Sequence, residues 1–181
     1  QLASWLDEKE GWRPHVINWA KSFVKDGLQD RAITRDLDWG IEIPVDDLGS
    51  GKKIYVWFEA VIGYLSASKE WAKNKGNEKE WTEWWNNESA ETYYFIGKDN
   101  VPFHAVIWPS ILLAYEGLNL PTNVPANQYI LVKGEKASAS RGVGKTLQEY
   151  LDEWNPDALR YALASALPEQ SDTEISEDEM I

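Results

Sequence analysis

Over the first 28 positions apolar residues return every three or four places between charged ones: Trp5, Leu6, Trp12, Val16, Trp19, Phe23, Val24 and Leu28. That is the period of helix with one buried face. Pro14 suits the first turn of the longer helix and Gly27 its end. The period then lapses through Arg31 to Gly40, and a Gly-Ser-Gly turn lies between Pro44 and Lys53, so this stretch reads as a loop-rich junction. Regular texture resumes with Ile54-Tyr-Val-Trp-Phe58, a short β-prone run, followed by helical spacing from Ala60 to Asn74. Thr92-Tyr-Tyr-Phe-Ile96 repeats the strand signal, Gly97-Lys-Asp-Asn100 makes a turn, and Pro102 to Gly117 predicts a nearly all-apolar helix with Gly117 past its end. Gln128-Tyr-Ile-Leu-Val132 predicts a third strand.

A Gly/Lys/Ser loop runs on to Lys145, Thr146-x-x-Glu149 forms a capping box, and Asn155-Pro156-Asp157 opens a helix carrying Leu159, Tyr161, Leu163 and Ala166. Strands alternating with helices at these spacings predict an α/β fold built on a parallel sheet with helices on its faces. No internal repeat is present, and the acidic tail after Glu169 is expected to begin a further element.

Composition narrows the function classes. With 18 Lys plus Arg against 30 Asp plus Glu, the net charge of −12 argues against a general nucleic-acid clamp, which needs clustered cations. The chain has no cysteine, so neither a disulfide framework nor a thiolate zinc site can lie within it. No window approaches about 18 uninterrupted apolar residues, the length of a membrane span. The only methionine is Met180, so the chain is expected to be an excised segment of a longer protein. Eleven tryptophans far exceed ordinary usage and are expected to serve mainly as packing mass.

In open parallel sheets ligands bind beyond the carboxyl ends of the strands, which directs attention to three loops. The first follows Trp57. In the second, Asp99 could accept from ribose hydroxyls with Gly97 admitting a nucleotide, or it could cap the next helix. His104, one turn on, lies on an apolar face and reads equally as a hydrogen-bonded core residue. The third, Lys133-Gly-Glu-Lys-Ala-Ser-Ala-Ser-Arg-Gly142, suits a phosphate clamp or a solvated surface loop. His15 lies far in sequence from these strand ends and is assigned no role. Asp36, Asp38 and Glu42 read as solvated or helix-capping carboxylates, and no metal-binding set is assigned. The chain lacks G-x-S-x-G, H-E-x-x-H, G-x-x-x-x-G-K-[ST] and G-x-G-x-x-G.

Taken in order, Asp30-Arg-Ala-Ile-Thr-Arg-Asp36, Tyr55-Val-Trp-Phe-Glu-Ala-Val-Ile-Gly-Tyr64, Tyr94-Phe-Ile-Gly-Lys-Asp-Asn-Val-Pro-Phe-His104 with Trp108-Pro109, and Lys136-Ala-Ser-Ala-Ser-Arg-Gly142 closely resemble methionyl-tRNA synthetases. The resemblance runs from about Trp12 to the C-terminus. The last block is of the KMSKS type shared across class I synthetases, whereas the other three point to the methionine enzymes. The resemblance implies the second half of a class I Rossmann-like catalytic domain, a parallel sheet with flanking helices preceded by a helical junction. Residues 1–30 would be the junction from the connective insertion, 31–168 the catalytic half-domain with its KMSKS-type loop at 136–140, and 169–181 the start of a linker toward a helical domain.

The family makes methionyl-adenylate from methionine and ATP with Mg2+, then passes the methionyl group to tRNA(Met) in the cytoplasm. The resemblance gives Arg35, Trp57, Ala60, Tyr64, Asn100 and His104 to the methionine pocket, where an aromatic and apolar slot suits a polarizable thioether. Gly97, Asp99, Ile130, Lys136 and Ser138 would hold ATP, with Lys136, Ser140 and Arg141 serving the charge that develops at the phosphates.

This chain departs from the family at Ala137 and Ala139, where a bulky apolar residue and often a second lysine stand, at Glu59 and Val61 for Asp and Pro, and at Asn127-Gln128 for His-Gly. A lysine missing at Ala139 would lower turnover. The family's H-x-G-H turn cannot lie here, because His15 and His104 are the only histidines. Its zinc knuckle and anticodon-binding domain are likewise expected outside these residues, and the segment alone is expected to be inactive. Two other readings are a non-catalytic module or paralogue that keeps the nucleotide fold, supported by the altered loop, and a synthetase for leucine, isoleucine or valine, disfavoured by the Gly97 to His104 block.

Overall fold

The structure is a computed structural model and describes residues 1–45, 51–132, 134–136 and 142–174. The chain forms two compact units, one of residues 1–94 and 100–125, the other of residues 95–99 and 126–181.

The first unit begins with α1 (Leu2–Asp7) and α2 (Pro14–Lys25). Proline at the start of α2 gives up only an N–H that has no partner inside the helix, and Gly27, at φ 91°, takes the left-handed turn that stops it. Trp5 and Trp12 meet edge to face with centroids 5.6 Å apart, and the Trp12 indole N–H donates to the Thr122 carbonyl at 2.7 Å. Leu6, Val16 and Ala20 on the same faces are wholly buried. Leu6 and Val16 each contribute on the order of 1.5–3 kcal/mol of transfer free energy, and Ala20 less.

Next comes an antiparallel ribbon of β1 (Thr34–Asp36) and β2 (Lys52–Ile54), in register Thr34 to Ile54. Its edge carboxylates are paired on the surface, Asp36 with Lys52 and Glu42 with Lys53. Part of the expected Gly-Ser-Gly turn between the strands lies outside the described residues. The ribbon corrects the expected strand at 54–58. Thr34 opposite Ile54 is the last pair of the ribbon, the Tyr55 N–H makes the last cross-strand bond to the Ile33 carbonyl at 2.8 Å, and Tyr55 (ψ 119°) then turns the chain into α3 (Val56–Glu59). A short apolar run suits strand or helix alike, and here the missing partner decides. A 3-10 turn (Ala60–Ile62) leads into α4 (Gly63–Asn74), and α5 (Thr82–Trp85) follows.

The expected helix from Pro102 to Gly117 is present in two forms, a π-helical segment (Phe103–Ile107) and then α6 (Trp108–Tyr115). Its end differs from the expected glycine stop. Glu116 itself adopts φ 63° and ψ 153°, a region that side chains disfavour, before Gly117 at φ 75°. Trp108, Pro109 and Leu112 are the heart of this unit's core, with Trp85 edge-on to Trp108 at 5.9 Å. The tryptophans therefore divide: Trp5, Trp12, Trp85 and Trp108 pack, whereas Trp39, Trp57 and Trp84 are largely exposed.

In the second unit β3 (Ile96–Gly97) pairs in parallel with β4 (Ala126–Asn127). The strand expected over 92–96 is thus shorter and later. Tyr93 makes only an isolated bridge to Asn123, and Pro125, which has no N–H, prevents β4 from extending backwards. β5 (Ile130–Val132) is the centre of a three-stranded sheet, antiparallel to β6 (Glu135–Lys136) and parallel to β7 (Thr173–Glu174). β5 starts two residues later than expected, because the Gln128 N–H goes to the Pro168 carbonyl and the Tyr129 N–H to the Asp172 carboxylate. β7 falls in the segment after Glu169, and 175–181 lie outside the described residues.

The capping box is present as expected at α7 (Leu147–Glu153): the Thr146 hydroxyl accepts from the Glu149 N–H while the Glu149 carboxylate accepts from the Thr146 N–H. Asn155 caps α8 (Pro156–Ser165) by accepting from the Asp157 N–H at 2.8 Å.

Candidate active site

In the first unit the residues expected to bind an amino acid centre on His104, which lies in the π-helical segment and is 6% exposed. π-Helical turns recur at functional sites because the extra residue re-aims a side chain. His104 Nδ1 stands 2.9 Å from the Asn100 carbonyl and its Nε2 2.8 Å from the Tyr64 hydroxyl. A carbonyl can only accept, so Nδ1 carries the proton, and in the neutral ring Nε2 accepts from Tyr64. Burial lowers the histidine's pKa below the usual imidazole value, against a smaller opposing effect of the Asn100 carbonyl.

Tyr64 and Tyr94 close around the imidazole, with centroids 5.6 and 5.7 Å from it and 5.1 Å from each other. Burial pushes both phenol hydroxyls up. Tyr94 is anchored from behind by Trp108, whose indole N–H donates to its hydroxyl at 2.9 Å. Trp57 stacks on Phe103 at 5.2 Å and 29°, next in sequence to His104, yet is 47% exposed, and Ala60 is also exposed. The structure thus brings Tyr64, Asn100 and His104 into one hydrogen-bonded group with an open aromatic wall beside it. Arg35 is engaged differently: it donates to the Ala32 and Thr34 carbonyls and lies over the Tyr55 ring at 3.9 Å.

In the second unit Gly97 belongs to β3, and a Cβ built there would meet nothing within 4 Å, so the backbone stands beside open space. Asp99 accepts from the Lys136 ammonium at 3.0 Å across 37 positions of sequence. Hydrogen bonding from Tyr129 first and Lys136 second holds the Asp99 carboxyl below its usual range, and hydrogen bonding to Tyr129 first and Asp99 second raises the Lys136 ammonium. The carboxylate is therefore an ion-pair partner and not a simple helix cap. Ile130 opens β5 opposite Thr173. Ser138, Ser140 and Arg141 lie outside the described residues, as do Ala137 and Ala139.

Sequence pattern singles out neither Tyr94 nor Tyr129, although each touches two or more of the expected residues. Their only advance signal is an aromatic residue at the start of a β-prone run.

A profile described as tRNA synthetases class I (M) matches residues 1–181, the whole chain. The chain belongs to this family of class I tRNA synthetases. Among its relatives, a methionine–tRNA ligase of Thermoplasma acidophilum is 47% identical over 181 residues, and one of Dehalococcoides mccartyi strain CBDB1 is 48% identical. All of this chain is covered in both, against 33% and 32% of the relatives, so the chain spans about a third of their length. A solved structure of Mycobacterium tuberculosis methionyl-tRNA synthetase in complex with methionyl-adenylate matches 99% of this chain and 35% of its own, at 26% identity and a TM-score of 0.73. The mixed α/β architecture is accordingly that of a class I synthetase catalytic domain. No helix among the described residues is long and apolar enough to cross a membrane.

Proposed function

We propose that the chain supplies the second half of the amino-acid-activating site of a cytoplasmic methionyl-tRNA synthetase. The parent enzyme joins methionine to ATP, giving methionyl-adenylate and pyrophosphate, and then passes the methionyl group to tRNA(Met). The observation that carries this reading is the 47–48% identity to methionine–tRNA ligases along the entire chain. The methionyl-adenylate complex of the M. tuberculosis synthetase supports the substrate pair.

In this reading Tyr64, Trp57, Ala60, Asn100 and His104 receive methionine. A neutral His104, with both nitrogens engaged, presents no charge to a thioether, and aromatic rings suit its polarizable sulfur. Arg35 balances the substrate carboxylate. A carboxylate oxygen attacks the α-phosphorus, the bond from that phosphorus to the bridging oxygen of the β-phosphate breaks, and pyrophosphate departs with the electron pair. Gly97 and the Ile130 backbone lie along adenosine, and Asp99 accepts from the ribose hydroxyls. Lys136 with Ser138, Ser140 and Arg141 stabilises the charge accumulating on the phosphates.

Magnesium belongs with the nucleotide: the cations around Asp99 suit phosphate oxygens, and among the described residues no three carboxylate or imidazole groups converge. The zinc of the parent lies outside this cysteine-free chain.

The test is a separation of Michaelis constants in the intact protein. Asp99→Asn should raise KM for ATP by about tenfold through a weakened charge-assisted hydrogen bond and leave KM for methionine unchanged. Tyr64→Ala should do the reverse. An Asp99→Asn variant with wild-type ATP kinetics would remove the nucleotide assignment.

A further inference from the structure

Resting on the nucleotide reading of the second unit, we infer that Tyr129 is a positioning residue that holds Lys136 beside Asp99 and Lys98 beside Asp172. Four charged side chains meet around this one residue. The Lys98 ammonium lies 4.1 Å and the Lys136 ammonium 3.8 Å from its ring centroid. Each lysine is also paired with a carboxylate, Lys98 with Asp172 at 2.8 Å and Lys136 with Asp99 at 3.0 Å. The tyrosine's own backbone fixes it in place, its N–H donating to Asp172 at 2.8 Å and its carbonyl accepting from the Thr173 N–H at 3.0 Å.

Such a cluster costs conformational freedom in two long side chains, and on an exposed surface ion pairs alone do not restrain lysines well. A shared aromatic ring does restrain them, because each ammonium gains from the ring quadrupole. The register of β5 against β6 supplies the geometry: Leu131 faces Lys136, which brings this lysine back toward Tyr129, just ahead of β5 at the open end of the hairpin. Asp99 retains capacity for further hydrogen bonds, since a carboxylate offers about four lone-pair sites and Lys136 and Tyr129 together use about two. A ribose can therefore bind there while Lys136 stays adjacent, oriented toward the phosphates.

The experiment compares Tyr129→Phe and Tyr129→Leu in the intact protein by methionine-dependent ATP–pyrophosphate exchange, with KM for ATP and for methionine measured separately. Tyr129→Leu, which removes the ring that both lysines contact, should raise KM for ATP by about tenfold with KM for methionine unmoved. Tyr129→Phe, which keeps the ring, should recover most of that loss, to within about threefold of wild type. In a Lys136→Ala background the Tyr129→Leu change should have a clearly smaller effect, since its main client is gone. Equal effects of Leu and Phe, or a uniform loss in both Michaelis constants, would overturn the assignment while leaving the nucleotide reading intact. Absence of exchange in the wild-type intact protein would instead overturn the reading on which it rests. If Tyr129→Leu fails to fold, Tyr129→Met, of similar bulk and without a ring face, takes its place with the same expected outcomes.

Discussion

Trp108 and Tyr94 form the joint between the core of the first unit and the His104 group, and breaking that joint has a calculable effect. Trp108 is 1% exposed and donates its indole N–H to Tyr94, itself buried, at 2.9 Å. Tyr94→Phe keeps the ring contacts to Tyr64 and His104 but strands the indole N–H away from water, a loss of about 1–3 kcal/mol. Trp108→Phe leaves a void beside Trp85 and Leu112 and removes the donor to the Tyr94 hydroxyl, for about 2–3 kcal/mol. The double variant strands neither group, so it should be less destabilised than the sum of the two by about 1–2 kcal/mol. Urea unfolding followed by far-ultraviolet circular dichroism, which does not depend on the tryptophan being replaced, measures all three. Single-variant losses that add to within about 0.5 kcal/mol, with Tyr94→Phe nearly neutral, would refute the buried hydrogen bond as the joint.

Further expectations follow from other parts of the chain. Thr146→Ala removes the reciprocal cap of α7 and should destabilise the second unit by about 1 kcal/mol, read as earlier hydrogen exchange in residues 147–153. Glu116→Gly relieves a conformation that side chains disfavour and should raise stability by about 1 kcal/mol in chemical denaturation; no gain would mean that Glu116 is unstrained. Because burial holds His104 below its ordinary pKa, the unfolded chain binds this proton first as pH falls. The contribution of His104 to stability should therefore be constant above a pH of about 6.5 and decline as pH drops from there toward the lowered folded value, a slope that His104→Gln should abolish.

What could be read from the sequence was local chemistry with a fixed address. Thr146 with Glu149, Asn155-Pro156-Asp157, and Pro14 with Gly27 each satisfy helix-end groups within a few residues, so their pattern survives folding unchanged. The run at 54–58 did not, because its composition suits two conformations and the choice rested on where β1 ended. The same distinction runs through the candidate site. The positions of Asp99, His104 and Lys136 beside strand ends are visible as motif, and the Asn100 carbonyl that sets the His104 tautomer is local, yet the partner of Nε2 is Tyr64, 40 positions away. Likewise the Asp99–Lys136 pair and its tyrosine depend on the β5–β6 register and on Thr173, contacts of long sequence separation with no periodicity. Tryptophan excess was legible as packing mass, but which tryptophans pack was decided by the edge-to-face pairs of Trp5 with Trp12 and Trp85 with Trp108.

That this chain supplies half of a methionine-activating site is checked by ATP–pyrophosphate exchange with the intact protein and with the 181-residue chain alone. The intact protein should exchange with methionine and not with leucine, isoleucine or valine, and the isolated chain should show no appreciable exchange. Exchange favouring one of those other amino acids, none with methionine, or robust exchange by the isolated chain would contradict it.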